Sequence, residues 1–99
     1  MNVIPLLSVE NQEFSVVLNG QNCDISIYQK STGLYFDITL NGTLIESTIL
    51  CLNAVPLVQY SYLGFNGNLV FIDTQGSNDP TYDGLGNRYI LVYYANGEL

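Results

Sequence analysis

A small all-β domain, an antiparallel β-barrel or sandwich of about six to seven strands, is predicted by three features of the sequence. Short runs alternate apolar and polar residues with a period of two, as in Leu34-Tyr35-Phe36-Asp37-Ile38-Thr39-Leu40. Asn-Gly pairs stand between such runs at Asn19-Gly20, Asn41-Gly42 and Asn66-Gly67, and Asn-Gly supplies the positive φ angles of tight hairpin turns. Nowhere do apolar residues recur at i, i+3, i+4 and i+7 over three turns, so no substantial helix is expected. With 99 residues in all, positions 1–99 are expected to form one domain.

Residues 2–7 read as extended, and Pro5, which has no N–H to donate, marks an edge strand or an arm. Ser8 to Gln12 is a polar connection. Glu13–Leu18 and Gln21–Gln29 flank Asn19-Gly20 as a hairpin, with Phe14, Val16 and Leu18 on one face of the first strand. In the second, Cys23, Ile25 and Ile27 share one face and Asp24, Ser26 and Tyr28 the other. Leu34–Leu40 is the cleanest strand, with Leu34, Phe36, Ile38 and Leu40 inward and Tyr35, Asp37 and Thr39 outward. Thr43–Leu52 returns from Asn41-Gly42, but its two faces are mixed. A bulge would resolve the conflict, because one extra residue switches the facing.

Asn53–Val58 is compatible with a short helical turn or an extended crossing. Gln59–Phe65 is aromatic. Asn68–Thr74 and Arg88–Tyr94 form the last two strands, around a loop rich in Gly, Asn and Asp. Both strands are apolar on both faces, which points to a partner or a further layer on the outer side. Residues 96–99 read as a frayed tail.

Composition narrows the function. Charged residues make up 11% of the chain, against about 25% in ordinary soluble domains. Such a surface is poorly protected against association and reads as one meant to be covered. The net charge is −7, and Lys30 and Arg88 are the only cations. Two cations cannot neutralise a run of phosphates, so direct nucleic-acid binding is not expected. An anionic membrane surface would repel the chain as well. A basic partner would be attracted.

The opening Met1-Asn2-Val3-Ile4-Pro5 has neither a basic n-region nor an apolar h-region, so no signal peptide is predicted. Synthesis in the cytoplasm is expected. Cys23 and Cys51 each fall within a predicted strand, where a free thiol acts as a small core hydrophobe.

Histidine is absent, which removes the usual general base and the commonest metal ligand. No nucleophile or metalloprotease motif occurs, so no catalytic residue, cofactor or metal is assigned. Asp73, Asp79 and Asp83 cluster in the long loop. They read as turn residues, with a calcium site as the alternative; their spacing does not match an EF-hand.

Tyrosine, with eight copies, is more telling, because it gives large contact area at low entropy cost. Tyr60, Tyr62, Phe65 and Tyr82 fall in loops. They either plug the ends of the β structure or dock a partner. Leu85 is more apolar than a solvated turn needs, and Arg88 would pair with Asp73 or Asp83 across the hairpin. These six residues, Tyr60, Tyr62, Phe65, Tyr82, Leu85 and Arg88, are the candidate interface.

The sequence also resembles a known family. Ile4-Pro5-Leu6, Asn11-Gln12-Glu13-Phe14-Ser15-Val16 and Asn19-Gly20-Gln21 are similar to the start of small baseplate proteins of contractile-tailed phages. The likeness continues through Tyr28-Gln29-Lys30-Ser31-Thr32-Gly33-Leu34-Tyr35, Tyr62-Leu63-Gly64-Phe65, Asn68-Leu69 and Phe71-Ile72-Asp73-Thr74-Gln75-Gly76. It closes with Asp79-Pro80, Tyr82, Gly84-Leu85-Gly86 and Arg88-Tyr89. This order, over nearly the whole chain, resembles the cyanophage-type baseplate plug family.

The resemblance implies a compact β domain in the virion tail baseplate and no enzymatic activity. It also implies several copies per virion, with baseplate hub, spike and inner wedge or tail proteins as partners. The competing expectation is a small cytosolic β-rich binding module for a peptide or carbohydrate, using the Tyr60–Phe65 loop.

Overall fold

The computed structural model describes residues 2–58 and 65–95. These form β1 (Asn2–Ile4), β2 (Asn11–Leu18), β3 (Gln21–Lys30), β4 (Gly33–Leu40), β5 (Thr43–Leu50), β6 (Asn68–Asp73) and β7 (Tyr89–Tyr94), with a 3-10 turn at Tyr82–Gly84. Asn19 and Gly20 hold φ of 51° and 76°, and Asn41 and Gly42 hold 49° and 86°. Both pairs thus make the predicted positive-φ turns, which fold β2 onto β3 and β4 onto β5.

Every strand pairing is antiparallel, in two sheets. One is the sequential meander β2-β3-β4-β5. The other has the order β1-β7-β6, so the chain's first strand lies against its last. Among the described residues this is a sandwich and not a closed barrel.

The alternating strands aim one set of side chains between the sheets. Ile25 sits opposite Ile38, and Ile27 opposite Phe36. From the other sheet come Ile4, Leu91 and Phe71, which form one cross-strand row. All seven are buried in one cluster. Each such side chain contributes about 1.5–3 kcal/mol by leaving water. Cys23 and Cys51 are free thiols in the same core. Burial raises the pKa of both, and beside Cys23 the charge of Asp24 adds to the effect.

β5 resolves its mixed pattern by slipping twice. The register against β4 shifts between Phe36 and Ile38 and again between Ile38 and Thr39. Thr48 takes a φ of 56° at the first shift. Asp37 Oδ1 holds it there, accepting the Thr48 N–H at 2.7 Å and the Tyr28 hydroxyl at 2.9 Å. Ile49 stays opposite Phe36, the first slip brings Glu46 opposite Ile38, where it is buried, and Ile45 and Ile49 pack on the core while Leu44 and Leu50 stay exposed. The slips also deform an edge strand, which discourages pairing with other chains.

Asn53–Leu57 is neither a helical turn nor a fully extended crossing: it bends at Ala54, whose φ is 61°, and covers the free edge of β6. The Ala54 N–H donates to the Phe71 carbonyl at 2.8 Å and the Leu57 N–H to that of Leu69 at 2.9 Å. On the outer face of this sheet Val3, Val92 and Val70 form one row. Val92 and Val70 are buried, whereas Val3 is 60% exposed.

Candidate functional site

The loop between β6 and β7 is held by its own polar residues. Asp73 closes β6 and Arg88 precedes β7. Arg88 donates from Nε to Oδ1 and from Nη2 to Oδ2 of Asp73, both at 2.9 Å. Asp73 also accepts the N–H groups of Gln75 and Asn78 at 2.9 Å. Its side chain has no exposed surface. These bonds, led by those from Arg88, hold its carboxyl well below the usual carboxylate range, and they raise the guanidinium in turn.

The other two loop acids bond elsewhere. Asp79 Oδ1 accepts the Asn53 N–H at 2.9 Å, which ties the loop to the strap beside β6. Asp83 Oδ1 accepts the Thr81 hydroxyl. Asp73 and Asp83 therefore hold turns of the loop itself, as expected, whereas Asp79 makes a long-range tie to Asn53. Among the described residues, no group of three or more His, Cys, Asp or Glu side chains is placed to hold a metal ion.

The loop is folded back onto the sandwich. Leu85 is 2% exposed and belongs to the core. Tyr82 is half-buried against that core, and its N–H donates to Gln29 Oε1 at 3.1 Å. Ser8 Oγ donates to the carbonyls of Asp83 and Leu85 at 3.1 Å. Gly86, at φ 77°, lies against the Leu6 carbonyl. Arg88 extends over the Tyr89 ring, 5.2 Å from its centre.

The predicted interface set thus divides. Tyr82, Leu85 and Arg88 come together in this loop. Phe65 lies instead beside Tyr93, ring centres 5.9 Å apart edge to face, and is 6% exposed in the core. Tyr60 and Tyr62 lie outside the described residues.

A second surface emerges from the outer face of the larger sheet. Asn11, Tyr28, Tyr35 and Leu50 make one cross-strand row. The two tyrosine rings stack with centres 6.0 Å apart, and Lys30 Nζ lies 5.5 and 5.8 Å from them. The next row carries Glu13, Ser26 and Asp37, and the one beyond carries Ser15, Asp24 and Thr39. Three acids therefore share the middle of the face, and the one cation on it sits at the tyrosine end. The strand alternation had already placed Tyr28, Tyr35, Asp24 and Asp37 outward; what it lacked was the register that gathers them.

These features define a small antiparallel sandwich with a locked loop at one end and an acidic, tyrosine-bearing sheet face. Residues 1–96 match the family described as the cyanophage baseplate Pam3 plug gp18, and the chain belongs to that family. A component of a virion tail is thereby implied. No individual curated protein matches the chain.

Proposed function

We propose that this chain is a structural, non-enzymatic component of a contractile tail baseplate, a plug-type protein packed near the hub and spike. The family match over residues 1–96 of the 99 carries the reading. The low charge and the tyrosine-rich composition support it, because both suit a surface covered by neighbours. The chain is made in the host cytoplasm and enters the particle in several copies, as the rotational symmetry of a tail requires. Its partners are hub, spike and inner wedge or tail proteins, and it contacts neither nucleic acid nor membrane.

Tyr82 and Arg88 meet those partners from the loop between β6 and β7, with Leu85 packed beneath it and Phe65 in the core, and Tyr60 and Tyr62 are assigned to the same interface. Deleting the gene and imaging the tails tests this reading. Tails with incomplete or unstable baseplates are expected, restored by the gene in trans. Complete and infectious tails made without the chain would overturn it.

A further inference from the structure

The two sheets have four edges, and three are protected among the described residues. β5 is broken by two register shifts. β6 is covered by Asn53–Leu57. β1 has three residues and is followed by Pro5. These are standard ways of blunting an edge against other strands. β2 uses none of them. It holds all eight residues in unbroken register with β3 and contains neither Pro nor Lys.

The groups that β2 turns to its edge, unpaired among the described residues, can be named. The Gln29 N–H donates to the Glu10 carbonyl at 2.8 Å, so Glu10 and Gln29 form a hydrogen-bonded pair. Bonded and non-bonded pairs alternate along an antiparallel ladder. Gln12, Phe14, Val16 and Leu18 therefore bond to β3, while Asn11, Glu13, Ser15 and Val17 turn their N–H and C=O groups to the open edge.

The side chains along this edge specify what fits. On the inner side, Phe14 and Val16 pack against the core yet are only half-buried. On the outer side, Glu13 stands with Asp24 and Asp37, and Val17 is 64% exposed. Two hollows of about 520 and 320 Å³ run along that side, one walled by Glu13, Tyr28 and Asp37 and the other by Ser15, Val17 and Asp24.

We propose that β2 is the docking edge for an added strand from a basic partner protein. This rests on the assembly reading above and names the surface and the partner's chemistry. The incoming strand bonds to the backbone of Asn11, Glu13, Ser15 and Val17. It sets apolar residues beside Phe14 and Val16, and lysine or arginine side chains over Glu13 and Asp24. A second copy of this chain fits poorly, because it brings another net charge of −7 and a second Glu13 to the same edge.

The test uses assembled tails. With p-benzoylphenylalanine replacing Val17, irradiation should cross-link the chain to a Lys- or Arg-bearing extended segment of another tail protein, identified by peptide mass spectrometry. Ser15→Pro removes an outward N–H and leaves the β2–β3 ladder intact. It should lower incorporation into tails about tenfold while the isolated chain still melts cooperatively. Glu13→Lys should lower it several-fold and keep the fold. Cross-links to another copy of this chain, or none in tails that contain the chain, would overturn the proposal, as would full incorporation of both variants. Absence of the unaltered chain from tails would remove the assembly reading itself.

Discussion

Arg88 meets Asp73 through two parallel hydrogen bonds of 2.9 Å across the open ends of β6 and β7. The pair closes a long loop at its neck. Its geometry is the bidentate fork that a lysine cannot reproduce. Because Asp73 also holds Gln75 and Asn78, the one carboxylate organises the start of the loop as well as its neck.

Acid should therefore loosen the molecule. The folded-state pKa of Asp73 lies below the unfolded value of about 3.9. A carboxylate depressed in this way stabilises the fold above its unfolded pKa, and that stability is lost as pH falls through the lower, folded one. The melting temperature should drop as pH falls from about 5 towards 2, and the drop should be shallower in Asp73→Asn. Thermal melts followed by circular dichroism across that range check it; equal slopes for the two proteins would refute the assignment.

Gly86 and Gly20 share nearly the same backbone angle, φ 77° and 76°, in different surroundings. A Cβ at Gly86 would come within 2.3 Å of the Leu6 carbonyl oxygen, whereas one at Gly20 has open space. Gly20→Ala should cost only the left-handed backbone strain, about 1–2 kcal/mol. Gly86→Ala should cost clearly more, since Leu6 must move as well. Urea unfolding of both variants measures the difference.

Asp37 should act as the pin of the β5 slip. Asp37→Ala leaves the Thr48 N–H and the Tyr28 hydroxyl without their shared acceptor. A loss of about 1–3 kcal/mol is expected, with faster amide exchange at Thr48. Asp37→Asn keeps an acceptor oxygen and should recover much of it. Hydrogen exchange followed by nuclear magnetic resonance reads the local effect directly.

Both thiols should be inert in the folded protein. Cys23 and Cys51 are each 1% exposed, and burial favours their unreactive protonated form. Ellman's reagent should titrate neither at neutral pH without denaturant and both in guanidinium. Rapid labelling of the native protein would contradict the packing.

The local architecture was legible because it rests on local chemistry. Asn-Gly fixed two hairpin turns, and alternation placed Ile25, Ile27, Phe36 and Ile38 in the core. Even the slip in β5 was visible as a strand whose apolar residues would not stay on one side. Pairings between distant parts of the chain were not legible. Nothing in Asn2–Ile4 says that it lies on β7, and Asn53–Leu57 covers β6 through backbone bonds that leave no periodic trace.

The site reading divides for the same reason. Arg88 found one of its two named partners because both flank the hairpin. Leu85 and Phe65 stand in loop sequence, and only the fold shows that those loops turn back onto the core. The open edge of β2 was hidden because edge position belongs to strand order.

Quantitative mass spectrometry of purified tails bears most directly on the assembly reading. A fixed ratio of a few copies per tail, measured against hub and spike proteins, is the predicted result. Intact tails that lack the chain, from cells that express it, would contradict a structural role in the baseplate.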